Sequence, residues 1–152
     1  MQTYRVCFAD TDAAGIVYHA RYLEMAERSR NEALRHARAP PGTLLQQAKT
    51  SASGTALVVH RIEAKYHMPA FPDDLLVLHN EIGRVSAARI SWTTRIARNA
   101  SLICSVEADL VSIDFLTGRP LFISSVVLDA IKLIERSGSS RKRNLEGNHG
   151  HP

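Results

Sequence analysis

The chain has 152 residues, 45% of them hydrophobic and 22% charged, with a formal net charge of +4. Those values describe one globular domain with room for a real core, and they exclude a disordered or fibrous chain. The two cysteines, Cys7 and Cys104, sit in apolar segments without CxxC spacing, which argues against a disulfide framework or zinc site and fits a reducing, cytoplasmic setting.

The polar opening Met1 to Arg5 leads to Asp10 without an apolar run, so no signal peptide is expected. Thr3 to Phe8 alternates and reads as a first strand. A loop of small and acidic residues, Ala9 to Val17, leads into a helix from about Tyr22 to His36. That helix carries Leu23, Ala26, Ala33, Leu34 and Ala37 on one stripe, with Glu24, Glu27, Arg28, Glu32 and Arg35 on the other face. Pro40-Pro41-Gly42 should end the helix, leaving Thr43 to Ala48 as no more than a short helical turn.

From Thr55 the apolar period changes to two, with Val58, His60, Ile62, Ala64 and Tyr66 on one face and Val59, Arg61, Glu63 and Lys65 on the other. Strands Leu75 to Val85, Ala87 to Arg98 and Ser101 to Asp114 follow, then a short strand at Leu121 to Ile123. Val126 to Arg136 reads as a terminal helix, and Ser137 to Pro152, with the basic cluster Arg141-Lys142-Arg143, as a disordered tail. The domain is therefore expected over residues 1–136 and the tail over 137–152. One long helix followed by antiparallel strands gives an α+β fold with the helix against one sheet face. The other face, to which this pattern assigns Val59, is a candidate for cover by a second subunit. No apolar run approaches the roughly 20 residues of a membrane span.

The chemically loaded stretch is Cys7 to Arg30. Asp10 and Asp12 lie in a turn closed by Gly15, just ahead of the long helix. A helix start offers unpaired N–H donors and partial positive charge, the surroundings a developing oxyanion needs. A nearby carboxylate supplies a nucleophile or a base. In isolation Asp12 would be a turn or cap residue, and Asp10 is better read as bonding turn amides than as an acid/base partner. The His19 side chain could donate a proton to a leaving thiolate or orient water. His60 and His67 lack partners at metal-ligand spacing, so no metal site is expected.

Asp10-Thr11-Asp12-Ala13-Ala14-Gly15-Ile16-Val17-Tyr18-His19, followed by Tyr22 and Glu27-Arg28, resembles the signature of hotdog-fold acyl-CoA thioesterases. The group is the 4-hydroxybenzoyl-CoA thioesterase family, and the nearest likeness is its Tol–Pal-associated (YbgC-like) branch. The likeness continues through Val58-Val59, Glu63, Tyr66, Pro69 and Asp73-Asp74 and covers residues 4–133. It implies a hotdog fold, an antiparallel sheet wrapped around one long helix, and hydrolysis of acyl or aroyl thioesters with no cofactor beyond coenzyme A as part of the substrate. It makes Asp12 the catalytic carboxylate and gives His19 the helix-start N–H that polarises the carbonyl. Gly15, Val17, Val58 and Val59 would contact the acyl group, and Arg84, Ser86 and Arg89 the coenzyme A phosphates. It also implies a homodimer or homotetramer with the site between subunits. The branch often has tyrosine where this chain has Phe8. Two other readings remain: a hotdog dehydratase, whose His-centred motif is absent, and a non-catalytic acyl-CoA-binding or polyanion-binding protein. With 6% aromatic residues and no reader motif, a nucleic-acid partner is not expected.

Overall fold

The computed structural model describes residues 2–51 and 54–146. In chain order the elements are β1 (Gln2–Arg5), α1 (His19–His36), α2 (Pro41–Thr50), β2 (Thr55–Tyr66), β3 (Leu75–Val85), β4 (Arg89–Arg98), β5 (Ser101–Asp114) and α3 (Ser125–Glu146). The strands form one antiparallel sheet in the order β1-β3-β4-β5-β2. The hotdog arrangement expected from the sequence is present, with α1 lying along the sheet's inner face.

Alternation dictates what that face carries. Leu78, Ile96 and Cys104 pair across β3, β4 and β5, and they pack with Tyr22, Met25 and Ala26 of α1. Farther along, Trp92 and Ala108 meet Leu34 of α1 and Val127 and Ile131 of α3. Asn80 of β3 latches the helix to the sheet. Its amide nitrogen donates to the Ser29 carbonyl (3.1 Å) and hydroxyl (2.9 Å), while its oxygen accepts from the Trp92 indole (3.0 Å) and Thr94 hydroxyl (2.8 Å). The outer face is polar, with ion pairs such as Arg61–Asp109 (3.7 Å), Lys65–Glu63 (3.4 Å) and Arg95–Glu81 (3.3 Å). Each contributes little to stability because water screens it. β1 pairs only with Leu75 to Leu78, and α3 contacts β3 and packs Val127, Ala130 and Ile131 into the core.

Several expectations are corrected. β1 ends at Arg5, and Phe8 to Asp10 form a 3-10 turn that leaves Cys7 exposed in a loop. Pro41 starts a helix instead of forbidding one, because it occupies the first helical position, where no N–H is required. A bulge between Val59 and Arg61 reverses the alternation of β2. Val59 therefore pairs with the core residue Leu110 and shares the inner face with Ile62, Ala64 and Tyr66, while Val58 pairs with Val111. Leu121 to Ile123 forms no strand; one isolated bridge, Ile113 to Pro120, marks the spot. α3 continues to Glu146, so the Arg141-Lys142-Arg143 cluster is helical, consistent with the helix-forming character of those residues. The remainder of the expected tail, 147–152, lies outside the described residues.

Candidate active site

The loop ahead of α1 is built around Asp10, whose side chain is fully buried. One carboxylate oxygen accepts from the Tyr4 hydroxyl (2.8 Å) and from Arg21 Nε (3.0 Å) and Nη2 (2.7 Å). The other accepts from the Cys7 amide (2.9 Å) and thiol (3.3 Å). Burial acts to raise its pKa, but the Cys7 N–H, the Arg21 guanidinium, the Tyr4 hydroxyl and the Cys7 thiol together hold it down at about 2. Arg21 belongs to the first turn of α1 and Tyr4 to β1, so one carboxylate ties strand, loop and helix together. Asp10 is structural, as the turn-bonding reading expected.

Asp12 is different: it is exposed at the tip of the loop. Its N–H donates to the Ile16 carbonyl (3.0 Å), and its own carbonyl accepts from Gly15 (3.0 Å), whose φ of 74° suits glycine. Oδ1 accepts from the Ala14 amide (2.8 Å), while Oδ2 has no partner among the described residues. A bridge between Thr11 and Val17 closes the loop, and the Tyr18 N–H donates to the Asp10 carbonyl (2.9 Å). The residues before Asp12 are thus strapped to the residues that open α1.

That helix start is itself uncapped. Tyr18 at the N-cap makes no side-chain cap bond, and the first turn holds no acidic residue. The Arg21 N–H is taken by the Tyr18 carbonyl (2.9 Å), whereas the N–H groups of His19 and Ala20 precede any intrahelical acceptor. The exposed His19 imidazole stands 4.4 Å from the Tyr18 ring and 6.4 Å, edge-on, from the Tyr66 ring. The Tyr66 hydroxyl donates to the His19 carbonyl (3.2 Å). A free carboxylate oxygen, open helix N–H groups, an imidazole and a phenol therefore share one end of the sheet.

The remaining expected residues fall elsewhere. Val17 is 3% exposed and part of the core, so it supports the loop from beneath and forms no open wall. Val58 and Val59 lie eight and seven residues before Tyr66 on β2, about 25 Å away at the rise of a strand. Arg84, Ser86 and Arg89 are exposed at the β3–β4 turn, where the Ser86 N–H donates to the Arg89 carbonyl (2.9 Å). β3 begins beside Arg5 and ends at that turn, about 33 Å away. Within one chain the candidate site is thus split between opposite ends of the sheet. A groove of about 320 Å³ occurs on the β3 flank of α1, lined by residues including Glu32, His36, His79 and Asn80, away from the Asp12 loop.

Among the described residues no group of three His, Cys, Asp or Glu side chains is placed to hold a metal, and no helix is long and apolar enough to cross a membrane. The sequence reading did not single out Arg21 or Tyr66 as site residues. Period-two counting put Tyr66 on the face with Ile62 and Ala64, but only the fold shows that its end of β2 meets the helix start. Arg21 carried no signal, being one arginine in a helix rich in them.

The family model for the thioesterase-like superfamily matches residues 6–131. The acyl-CoA thioesterase YbgC of Haemophilus influenzae is 35% identical over 117 residues, covering 77% of this chain and 82% of that protein. The acyl-CoA thioester hydrolase YbgC of Escherichia coli O6:H1 is 33% identical over 129 residues, covering 84% and 92%. Among solved structures, a 1,4-dihydroxy-2-naphthoyl-CoA thioesterase from Synechocystis superposes with a TM-score of 0.78 at 22% identity, covering 86% and 93%. A probable thioesterase from Bartonella henselae gives 0.73 at 32% identity, covering 81% and 97%.

Proposed function

We propose that this chain, which belongs to the thioesterase-like superfamily, hydrolyses acyl-CoA thioesters to the free acid and coenzyme A, with Asp12 as the carboxylate that starts the reaction. The observation that carries the reading is the pairing of an exposed carboxylate, one oxygen unengaged, with an uncapped helix start strapped to the same loop. A thioester carbonyl resting on the opening N–H groups of α1 would gain negative charge where the helix dipole and those donors stabilise it.

Two routes use the same atoms. Asp12 Oδ2 attacks the carbonyl carbon, the carbon–sulfur bond breaks with the electron pair leaving on the thiolate, and water hydrolyses the mixed anhydride. In the other route Oδ2 takes a proton from water, whose oxygen attacks the carbonyl carbon directly, and the carbon–sulfur bond then breaks with its electron pair leaving on the thiolate. His19 would supply a proton to the leaving thiolate. Neither route draws on a metal or cofactor. Gly15 fixes the loop that presents Asp12, and Tyr66 borders the carbonyl end.

The separation of Arg84, Ser86, Arg89, Val58 and Val59 from Asp12 supports a site assembled from two copies. The coenzyme A phosphates would meet the basic β3–β4 turn of one subunit, while the acyl group reaches the Asp12 loop of the other, with Val58 or Val59 alongside. We therefore read the working unit as a homodimer, or a homotetramer built from it. Two cysteines without disulfides, Cys7 and Cys104, support a cytoplasmic setting.

The test is thiol release from a panel of short, long and aromatic acyl-CoAs by the purified chain. Turnover of at least one class is expected. Binding across the panel without thiol release would contradict hydrolysis and leave a non-catalytic acyl-CoA-binding protein.

A further inference from the structure

The end of the sheet opposite the Asp12 loop carries an aromatic ring that the domain does not pack. Phe122 lies on the segment between β5 and α3 and is 78% exposed. Its backbone is nevertheless fixed on both sides. The Leu121 N–H donates to the Ser112 carbonyl (2.9 Å) and the Ile123 N–H to the Ala87 carbonyl (2.9 Å). The Phe122 carbonyl accepts from the Ser112 hydroxyl (3.4 Å), and the Ser112 N–H donates to the Ala88 carbonyl (2.8 Å). Bonds from alternate residues mark an extended segment, in which neighbouring side chains point to opposite sides. Ile123 is buried in the same core cluster as Ile90 of β4. Phe122 and Arg89, the residues just before those two, are both exposed and turned away from that core. The ring is therefore held out beside the β3–β4 turn, on the side to which Arg89 points.

The arginines at this end have no counter-charge. Arg61, Arg95 and Arg98 elsewhere on the sheet each pair with a carboxylate. Arg84, Arg89 and Arg119 are exposed and form no ion pair among the described residues. The Asp114 carboxylate, at the end of β5, is occupied by its own turn, accepting from the Leu116 (2.9 Å) and Thr117 (2.7 Å) amides. Free guanidinium groups thus flank an aromatic face that is also free.

We propose that Phe122 is a specificity-determining residue for the nucleotide end of the substrate: adenine stacks on its outward ring while the phosphates next to that base are held by the unpaired arginines. A lone phosphate would engage the arginines and leave the ring bare, and an apolar ligand would do the reverse. A planar base that carries phosphates satisfies both, by stacking on one side and by charge-assisted hydrogen bonds on the other. Because the segment is already pinned by backbone bonds, the ring is ordered before the ligand arrives and little freedom is lost on binding. The inference rests on the acyl-CoA reading above and goes further, naming the residue that tells a thioester with a nucleotide from one without.

The test compares the parent with Phe122→Ala and Phe122→Trp as full chains; the position is exposed, so both variants should fold. Calorimetric titration with adenosine bisphosphate, the nucleotide end of coenzyme A without its thiol arm, reads the shelf alone. Phe122→Ala is expected to weaken that binding about tenfold or more, and Phe122→Trp to keep it. In steady-state thiol release, Phe122→Ala should raise KM for an acyl-CoA by a similar factor with kcat unchanged. The same acyl group on pantetheine, which has no nucleotide, should be hydrolysed as by the parent. Absence of nucleotide binding by the parent, or binding unchanged in Phe122→Ala, overturns the proposal, as does an equal loss with both thioesters. Nucleotide binding that depends on Phe122 in a chain that releases no thiol supports the shelf and contradicts the thioesterase reading.

Discussion

Arg21 reaches back from the first turn of α1 to place two of its nitrogens, at 2.7 and 3.0 Å, on one oxygen of the buried Asp10. The bond sets where the helix starts relative to the loop that carries Asp12. Replacing Asp10 with Asn keeps the shape but removes the charge that Arg21 faces, and it leaves donors poorly matched. The expected cost is about 2–3 kcal/mol, a fall in Tm of roughly 5–10 °C for a domain of this size. Calorimetry on the Asp10→Asn variant checks it.

The same carboxylate gives the protein an acid-sensitive term. Its folded pKa of about 2 lies below the ordinary 3.8, so the folded state favours the ionised form. That stability is fully present above about pH 4, declines as pH falls, and is gone below about pH 2. It amounts to at most about 2.5 kcal/mol. Denaturant unfolding of the parent between pH 5 and pH 2 should show the decline. In Asp10→Asn, stability should fall correspondingly less over that interval.

Gly15 turns the loop at φ 74°, and an added Cβ there would meet nothing within 4 Å. The cost of Gly15→Ala is therefore backbone strain alone, about 1 kcal/mol. Because the strain falls on the segment presenting Asp12, turnover should drop more than stability does. Thiol-release kinetics beside a melting curve separate the two.

Asn80 satisfies four groups between α1 and the sheet. Asn80→Leu is expected to strand the Trp92 indole N–H and the Thr94 and Ser29 hydroxyls, costing about 3 kcal/mol or more. Equilibrium denaturation measures the loss. An unchanged midpoint would mean that water or rearrangement replaces those bonds.

Much of this was legible in the chain because its signals are local. Period two from Thr55 onward gave β2 to β5, and the Asp10–His19 motif gave both the likeness and the candidate carboxylate. What the pattern lost depended on partners distant in sequence. The bulge after Val59 is set by pairing with β5, so counting alternation put Val58 on the inner face in its place. Pro41 read as a breaker because its role depends on whether it falls at a helix start or inside one. The phenol of Tyr66 and the guanidinium of Arg21 carry no local mark; their meaning comes from what the fold sets beside them. Asp10 and Asp12 look alike in sequence and are opposites in space, one sealed by five donors and one open.

Asp12→Asn tests the central claim most directly. The variant keeps an oxygen able to accept from the Ala14 amide, so loop and fold should persist, with a melting temperature close to the parent's. It loses the unengaged anionic oxygen on which either route depends. We expect acyl-CoA binding to be retained and steady-state thiol release to fall at least about a hundredfold. Release at near the parent rate by a folded Asp12→Asn would contradict the assignment of the reaction to this carboxylate.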